Sequence, residues 1–454
     1  MEGQASAMRL GTMSIAATLL LMPLLLGCVP LSVVRDIEDA PSRRPTNDPG
    51  IDHIDSLDLA LDSEDEAVRG AAIRQLAAIL VEEDINSDTW HRASEALQGV
   101  GPEARQALPS VIQALNHKEP IVRQTAATVL GNVGPQPGVV TALVNALACK
   151  DWQYGYVREA AAEALGKMGS AAGDAVPALS DALDDEFWFV REAAAEALGG
   201  MGPQARGSVP ALTCALGDEG WSVREAALAA IERLLPNGEV VSALIEGLGN
   251  DSPSTRWGAA LALKEMGSRA ASAVPTLVRL LEEDDDNDVR RVAAEALGDI
   301  GEQEEAVPAL TQALEDKYWR VRRAAVRALV KIGPHSDVVP GLAQAMSDTD
   351  PRVRSAAAQA LGDVGTRATE AVPPLVQALE DDSGIVREAA VLALKGIDPR
   401  PEDVVPGLIE ALDDEYGFVR EAARSALTEI TEQDFGGDVG RWQRWWSERQ
   451  QRRP

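Results

Sequence analysis

Histidines and cysteines are the residues through which this chain could bind a metal or attack a substrate. The four histidines are His53, His91, His117 and His335, and none belongs to an H-E-x-x-H motif. No phosphate-binding loop, G-x-S-x-G motif or C-x-x-C pair occurs in the 454 residues. We therefore predict that the chain is not an enzyme and has no catalytic residue, no metal and no cofactor.

Cys28 is the one residue whose context predicts a chemical modification. It follows an apolar run over 15–26, which has the length of a signal-peptide core, and Arg9 supplies a positive charge ahead of that run. The run ends in Leu-Leu-Gly-Cys at Cys28, which resembles a bacterial lipobox. The resemblance implies a lipoprotein signal peptide over 1–28, with Cys28 as the lipidated first residue of the mature chain. An uncleaved N-terminal anchor is the alternative.

The residues around this segment give expectations about location. Val29 follows the cysteine, and in the lipoprotein resemblance this implies an outer-membrane protein that faces the periplasm or the cell surface. Proline and charged residues over 29–50 predict a flexible tether. Translation starts at Met1 or at Met8, and the sequence leaves both open.

Composition limits the kinds of partner. The formal net charge is −30, and a surface this negative repels phosphate backbones, so we expect no nucleic-acid binding. Aromatic residues make up only 4% of the chain, while Ala and Leu are abundant. This composition favours helices that pack closely through small side chains.

An internal repeat of about 33 residues is the strongest pattern in the chain. The segment VREAAAEALGKMG at 157–169 returns as VREAAAEALGGMG at 190–202. Ala follows the arginine by three residues, and Leu or Ile follows it by seven, which predicts a helix with one buried face. The arginine recurs at 69, 123, 158, 191, 224, 256, 290, 322, 354, 387 and 420, and Trp90 takes its place in one irregular unit.

Each unit also contains signals for a first, shorter helix. Val-Pro pairs predict its start, because proline is tolerated in the first turn of a helix. These pairs lie at 176–177, 209–210, 274–275, 307–308, 339–340, 372–373 and 405–406. An aspartate six residues before the arginine marks the turn between the two helices, and a glycine such as Gly202 ends the second.

These features together resemble the HEAT-like repeats first named from phycobilisome lyases. The resemblance covers residues 51–431 and implies an all-α fold, a right-handed α-solenoid of about twelve helical-hairpin repeats. The spacing is irregular over 51–101, which predicts an N-terminal cap. Residues 432–454 contain Trp442, Trp445 and Trp446 at helical spacing, which predicts a Trp-rich capping helix and tail.

The resemblance also implies a structural role for the turn aspartate and the helix arginine. In such families they often form a hydrogen-bonded ladder along the stack, and we assign this role to Asp185 with Arg191 and to the equivalent pairs. Those pairs include Asp218 with Arg224 and Asp316 with Arg322. One iron enzyme with HEAT-like repeats, deoxyhypusine hydroxylase, binds its metal through His-Glu pairs, and this chain has no His-Glu dipeptide.

Aromatic residues concentrate at one place in the repeat, the turn before the second helix. Stacked repeats bring these turns to one edge, where aromatic residues are typical of recognition surfaces. The alternative is that the rings only pack on adjacent turns. The candidate partner-binding residues are Trp152, Tyr154, Tyr156, Phe187, Trp188, Phe189, Trp221, Tyr318 and Trp319.

The outward face of the second helix carries two zones of opposite charge. Glu159, Glu163, Glu192 and Glu196 make an acidic zone early in the array, and Arg291, Arg323 and Arg327 make a basic zone further on. In HEAT-like arrays this face usually lines the concave side. A groove with two charge zones suits an extended or two-part partner.

The predicted function is that of a non-enzymatic, membrane-tethered scaffold that binds protein or peptide partners in the bacterial cell envelope. We expect a monomer. An enzyme accessory or lyase-like chaperone for a small ligand is one alternative, and a structural spacer is another. At about 10 Å per repeat, the array would extend roughly 100 Å.

Overall fold

The computed structural model describes residues 49–83, 85, 87–301, 304–333 and 338–451, without the side chains of residues 49–52, 152 and 237. The predicted signal peptide, Cys28 and nearly all of the predicted tether lie outside the described residues. No strand occurs within them, and the helices follow one another as stacked pairs. The predicted all-α solenoid is therefore confirmed.

The first helices of the regular pairs are short and the second helices are longer. The array opens with α1 (Pro49–Leu61), α2 (Glu66–Glu82) and α3 (Asp88–Gly99). Regular pairs follow: α4 (Leu108–Ala114) with α5 (Pro120–Val133), α6 (Val139–Leu147) with α7 (Gly155–Met168), α8 (Val176–Ala182) with α9 (Trp188–Met201), and α10 (Val209–Ala215) with α11 (Trp221–Leu234).

The same alternation continues through the second half. Its pairs are α12 (Asn237–Gly247) with α13 (Pro253–Met266), α14 (Val274–Glu283) with α15 (Asn287–Ile300), α16 (Val307–Gln312) with α17 (Trp319–Ile332), α18 (Val339–Ala345) with α19 (Pro351–Val364), α20 (Val372–Gln377) with α21 (Gly384–Ile397), and α22 (Pro401–Glu410) with α23 (Gly417–Thr431). A last helix, α24 (Val439–Gln451), closes the described chain.

Local sequence accounts for most helix ends. Val176, Val209, Val274, Val307, Val339 and Val372 each begin a first helix with proline at its second position. The last Val-Pro pair differs, because α22 begins at Pro401 and contains Pro406 in its interior. Gly202 ends α9 with a φ of +69°, a conformation that side chains with a Cβ rarely adopt.

The second helices form one layer of the stack, interrupted only between α11 and α13 in the described chain. The alanine three residues after the register arginine is fully buried, as at Ala161 and Ala194, and so is the leucine seven residues after it, as at Leu165 and Leu198. Small side chains let successive second helices approach closely, and these helices pack directly against one another along most of the array. Each repeat therefore buries its apolar face on its neighbours.

An ion pair crosses seven of the junctions between repeats, and we call the series the Arg–Asp ladder. Arg191 donates from Nε and Nη2 to both oxygens of Asp218, 27 residues further on, at 2.5 and 2.9 Å. The other pairs are Arg158–Asp185, Arg256–Asp284, Arg290–Asp316, Arg322–Asp348, Arg354–Asp381 and Arg387–Asp414.

The ladder differs from the predicted pairing in its register. Arg191 meets Asp185 only through the backbone, because its Nη1 donates to the Asp185 carbonyl oxygen at 2.8 Å. The carboxylate of Asp185 instead accepts from Arg158 of the preceding repeat, and also from the backbone N–H of Phe187. Each aspartate thus shapes its own turn and binds the repeat before it.

Both ends of the array depart from the regular pair. At the N-terminal end, α3 follows α2 without an intervening first helix, and the Trp90 indole is buried and donates to the Leu80 carbonyl oxygen at 3.1 Å. At the C-terminal end, α24 packs on α22, with Trp442 fully buried and Trp446 nearly so. Phe435 contacts the Trp442 ring edge-to-face, with ring centroids 4.9 Å apart.

The stack of second helices has one interruption, between α11 and α13. These two helices make little direct contact, and the start of α13 rests instead on the turn after α10. This approach requires glycine on both sides, because a Cβ at Gly258 would lie 2.0 Å from the Leu216 carbonyl oxygen and one at Gly217 would lie 2.5 Å from the Ser254 backbone. Ala226 and Leu228 of α11 are consequently only half-buried, whereas their α9 equivalents, Ala193 and Ala195, are buried.

The ladder predicts a pH-dependent loss of stability on substitution of Asp414. Hydrogen bonds from Arg387 hold the pKa of the Asp414 carboxyl below its usual range. Because the pKa of this carboxyl is lower in the folded than in the unfolded state, its ionised form stabilises the fold above about pH 3.9. This stabilisation is lost as the pH falls through the pKa of the folded state. We expect D414N to lower the free energy of unfolding by about 3 kcal/mol at pH 7, because Arg387 loses its bidentate partner in a mostly buried site and keeps only the exposed carboxylate of Glu415.

Urea unfolding at pH 7 and at pH 3 checks this expectation, with D413N as the matched control. Asp413 is exposed one residue earlier and makes no salt bridge within the described range. D413N should change stability by less than about 0.5 kcal/mol. Equal losses in the two variants, or a D414N effect that does not shrink at low pH, would contradict the structural role of the ladder.

Candidate functional site

The aromatic residues predicted to form an edge divide into exposed and packed rings. Tyr156, Trp188 and Trp221 have 61%, 53% and 70% of their surface exposed. Tyr154 is buried, and Phe187 and Phe189 are half-buried against the core. The side chain of Trp152 is not described. The set thus contains both exposed rings, which are accessible to a partner, and rings that pack within the array.

Ring contacts join the rings at the starts of α7 and α9. The Tyr156 ring of α7 stacks on the Phe189 ring of α9, with centroids 5.0 Å apart and planes 10° apart. Phe189 also contacts Phe187 and Trp188 of its own repeat. Trp221 has no such ring partner among the described aromatic side chains. The exposed rings therefore form one cluster, with Trp221 isolated on the next repeat.

Trp319 lies apart from this cluster and is surrounded by cations. The guanidinium carbon of Arg352 lies 3.5 Å from the ring centroid, and those of Arg323 and Arg320 lie at 4.9 and 5.2 Å. Tyr318, its neighbour, is 41% exposed. Cation–π contacts thus make Trp319 part of a basic surface, and it does not continue the aromatic edge.

The predicted acidic zone lies on neighbouring second helices, α7 and α9. Burial raises the pKa of the Glu159 carboxyl, and the nearby carboxylates of Glu163 and Glu192 raise it further. Burial also raises the pKa of Glu192, an effect that a hydrogen bond from Ser222 opposes and the carboxylates of Glu196 and Glu225 reinforce. The zone therefore concentrates negative charge that a cation would relieve.

The predicted basic zone is centred on α17. Arg291 is neutralised locally, because it donates to Glu295 at 2.8 Å and to Asp288 at 3.2 Å. Arg323 and Arg327 have no salt-bridge partner in the described part of the chain. Burial lowers the pKa of Arg323, and the guanidinium groups of Arg327 and Arg352 lower it further. Positive charge is thus concentrated at Arg323 and Arg327, and Arg291 contributes little.

A cleft opens between the two zones, at the interruption of the stack. It encloses about 360 Å³, and we call it the α11–α13 cleft. Trp221 and Leu228 of α11 line one side and Leu261 of α13 lines the other. The charged residues of the lining are Arg224, Glu225 and Glu265. The outward position of Leu261 is held by glutamate or arginine in several other repeats, as at Glu163 and Arg327.

This cleft was not predicted, although the sequence contains a signal for it. The turn aspartate of the ladder is replaced by Asn250, six residues before Arg256. Asn250 still accepts the backbone N–H of Ser252 at 2.9 Å, as the aspartates do, but it offers Arg224 no carboxylate. Arg320 and Arg352 were missed as well, because they lie outside the register positions.

Two kinds of functional feature are missing from the described residues. No cluster of three or more histidine, cysteine or acidic side chains in this part of the chain has a geometry suited to a metal ion. No helix within the described ranges combines the length and the apolar character needed to cross a membrane. The surface of this region is therefore characterised by aromatic rings, charge zones and the cleft.

The fold and these surfaces define an α-solenoid repeat protein. A family model described as HEAT repeats matches residues 54–155, 140–232, 209–298, 274–342 and 339–428. The chain belongs to the HEAT-repeat family. No curated protein matches the sequence.

Solved structures with a similar fold include nuclear-transport proteins. Kap121p matches with a TM-score of 0.54 and 16% identity, over 89% of this chain and 51% of Kap121p. Kap95p bound to RanGDP matches with a TM-score of 0.47 and 19% identity, over 85% of this chain and 61% of that one. An engineered protein matches with a TM-score of 0.38 and 23% identity, over 83% of this chain and 98% of the engineered protein. The chain spans about half of Kap121p, and the likeness shows the fold alone.

The acidic zone predicts that removal of one carboxylate stabilises the array. The raised pKa of Glu159 means that the fold favours its protonated form. Its stabilising contribution is therefore present below about pH 4.3 and is lost as the pH rises through the pKa of Glu159 in the folded state. We expect E159Q to raise the free energy of unfolding at pH 7 by about 0.5 kcal/mol, the typical effect of a like-charge pair four residues apart on a helix.

Urea unfolding at pH 7 and pH 4 measures this effect. E246Q is the control, because Glu246 is exposed on α12 without a salt bridge in the described part of the chain, and its substitution removes one negative charge, as E159Q does. The increase in the free energy of unfolding should occur in E159Q alone and should be smaller at pH 4 than at pH 7. A gain of the same size in E246Q would instead indicate a general effect of net charge.

Proposed function

We propose that this protein is a non-enzymatic scaffold that binds an extended segment of a protein or peptide partner and is tethered to a membrane of the bacterial cell envelope. The observation that carries the proposal is the exposure of Tyr156, Trp188 and Trp221 on one edge of the array. Large aromatic side chains are enriched at the centres of protein interfaces and in contacts that dominate binding energy.

Charge supports an extended partner. The acidic zone on α7 and α9 and the basic zone on α17 lie on different repeats of one stack, with the α11–α13 cleft between them. A segment that crosses all three would place basic residues toward Glu159 and Glu192 and acidic residues toward Arg323 and Arg327. Complementary charge of this kind sets the direction of binding and speeds association.

The proposed tether depends on Cys28 and the segment before it, which lie outside the described residues. The lipobox-like end at Cys28 supports lipidation of this cysteine, and Val29 supports delivery to the outer membrane. The resemblance of the repeats to the phycobilisome-lyase type remains part of this proposal. The scaffold is proposed to act as a monomer facing the periplasm or the cell surface.

Substitution of the exposed tryptophans tests the binding surface. We expect W188A/W221A to reduce chemical crosslinking to the partner at least tenfold, because a buried interface tryptophan typically contributes about 2 kcal/mol or more. The measurement is quantitative mass spectrometry of proteins crosslinked to the chain in cells. Stability should hardly change, since both side chains are more than half exposed.

A second aromatic pair provides the matched control. Tyr416 and Phe418 are 44% and 43% exposed and stack on each other near the C-terminal end of the array. Y416A/F418A should retain the crosslinked partner. If the two double variants recover the same proteins in the same amounts, the edge at Trp188 and Trp221 is not the binding surface.

Replacement of Cys28 tests the tether. We expect C28S to abolish incorporation of a labelled fatty acid and to move the chain from the membrane fraction to the soluble fraction, because serine cannot form the thioether-linked lipid. C149S is the control, since Cys149 lies within the array. Labelling that survives in C28S would rule out the lipoprotein assignment.

A further inference from the structure

Arg224 is the one register arginine of the central array that faces an open cleft instead of a carboxylate. Its Nη1 donates to the Asp218 carbonyl oxygen at 2.8 Å and to that of Glu219 at 3.1 Å, as its equivalents do in their own turns. Its Nε and Nη2, the edge that binds aspartate elsewhere, have no carboxylate partner among the described residues. The guanidinium instead lies beside the Trp257 ring, 5.3 Å from its centroid.

The ladder itself shows which group this edge binds. At the next register positions, Arg256 and Arg290 use Nε and Nη2 to bind both oxygens of an aspartate, at 2.6 to 3.2 Å. A planar guanidinium fork matches a carboxylate in this bidentate geometry. At Arg224 the fork is half-buried, and the register position of the next ladder aspartate is occupied by Asn250, which has no carboxylate.

Arg123 also lacks a carboxylate partner in the described part of the chain, and its Nε is buried without a hydrogen bond, but a ring from within the chain covers it. Its guanidinium lies 4.2 Å from the centroid of the buried Tyr154 ring, and α5 packs directly against α7. No cleft opens there. Arg420, the last register arginine, is exposed at the end of the array and has no following repeat. Among these three arginines, Arg224 alone combines an unpaired fork with a cavity, whose walls contain leucines together with Glu225 and Glu265.

The cavity defines the remainder of the ligand. Leu228 and Leu261 line opposite sides, and the largely exposed Trp221 lies beside them. A volume of about 360 Å³ falls at the lower end of the roughly 300–1,000 Å³ typical of ligand pockets. A short apolar side chain or ring therefore fits between the leucines while an attached or adjacent carboxylate reaches Arg224.

We propose that the α11–α13 cleft binds a peptide segment in which a carboxylate lies beside an apolar residue, and that this carboxylate takes the place of the missing ladder aspartate on Arg224. The carboxylate comes either from the C-terminus of the segment or from an Asp or Glu side chain. This inference rests on the proposed scaffold function and names the chemistry that one of its sites recognises.

Three fluorinated peptides test the proposal by ligand-observed ¹⁹F NMR with the purified chain. Acetyl-Ala-Ala-(4-fluoro-Phe) with a free C-terminus carries a terminal carboxylate, its C-terminal amide carries none, and acetyl-Ala-Asp-(4-fluoro-Phe) amide carries a side-chain carboxylate. We expect at least one of the two carboxylate peptides to bind at least tenfold more tightly than the uncharged amide. The better of the two identifies the source of the carboxylate.

Variants at Arg224 and at Asn250 assign the effect to the fork. R224Q should remove the preference for a carboxylate, whereas R420Q, which loses the same pair of hydrogen bonds to its own turn, should keep it. N250D leaves Arg224 intact and adds an aspartate at the ladder position, so it should also weaken carboxylate binding. W221A should weaken all three peptides, because it removes part of the apolar wall.

Several results would overturn the assignment. These are equal binding of acid and amide peptides, no binding of either acid up to 5 mM, a preference that survives R224Q, or an equal loss in R420Q. The proposed scaffold function is judged separately by the crosslinking experiment. Carboxylate binding without a crosslinked partner would support the cleft proposal and contradict the scaffold function. A crosslinked partner without carboxylate binding would support the scaffold function and contradict the cleft proposal.

Discussion

The Arg–Asp ladder is the interaction on which the arrangement of the repeats depends. One guanidinium joins two carbonyl oxygens of its own turn to the carboxylate of the next turn, as Arg191 does with Asp185, Glu186 and Asp218. The carboxylate in turn accepts a backbone N–H two residues on, which shapes the start of the following second helix. Apolar burial holds the helices together without specifying direction, whereas this bidentate contact sets the position of each turn relative to the last. The side chains at the turns therefore form one edge.

A single change in the ladder alters the surface of the whole array. Asn250 keeps the backbone hydrogen bond of the aspartate it replaces but not its charge. At the same junction α13 rests on the turn after α10, where Gly217 and Gly258 permit contact between backbones. The two second helices separate, and leucines that would otherwise be covered line an open cleft. The interruption separates the acidic helices α7 and α9 from the basic helix α17.

The charge pattern also explains how so acidic a chain can present a basic surface. Seven arginines are used inside the ladder, where aspartate neutralises them, and many other carboxylates lie on turns and outward faces. Arg323 and Arg327 lie outside the ladder, no carboxylate within the described ranges pairs with either, and the pKa of Arg323 is lowered by burial and by neighbouring cations. A protein with a net charge of −30 can therefore retain a local surface suited to an anion. Local pairing, more than net charge, decides where such a site lies.

The sequence by itself determined the features that recur within each unit. The period of about 33 residues, the buried alanine and leucine, the terminal glycine and the turn aspartate predict the helical pair and the solenoid, because each depends on position within one repeat. Only the tertiary structure decided relations between repeats. It paired Arg191 with Asp218 instead of Asp185, exposed Trp188 while packing Phe187, and separated α11 from α13. The physical reason is that a repeat pattern specifies which residues face the neighbouring repeat. Which side chain each of them contacts depends on how far that repeat is displaced, and residues distant in the sequence contribute to this displacement.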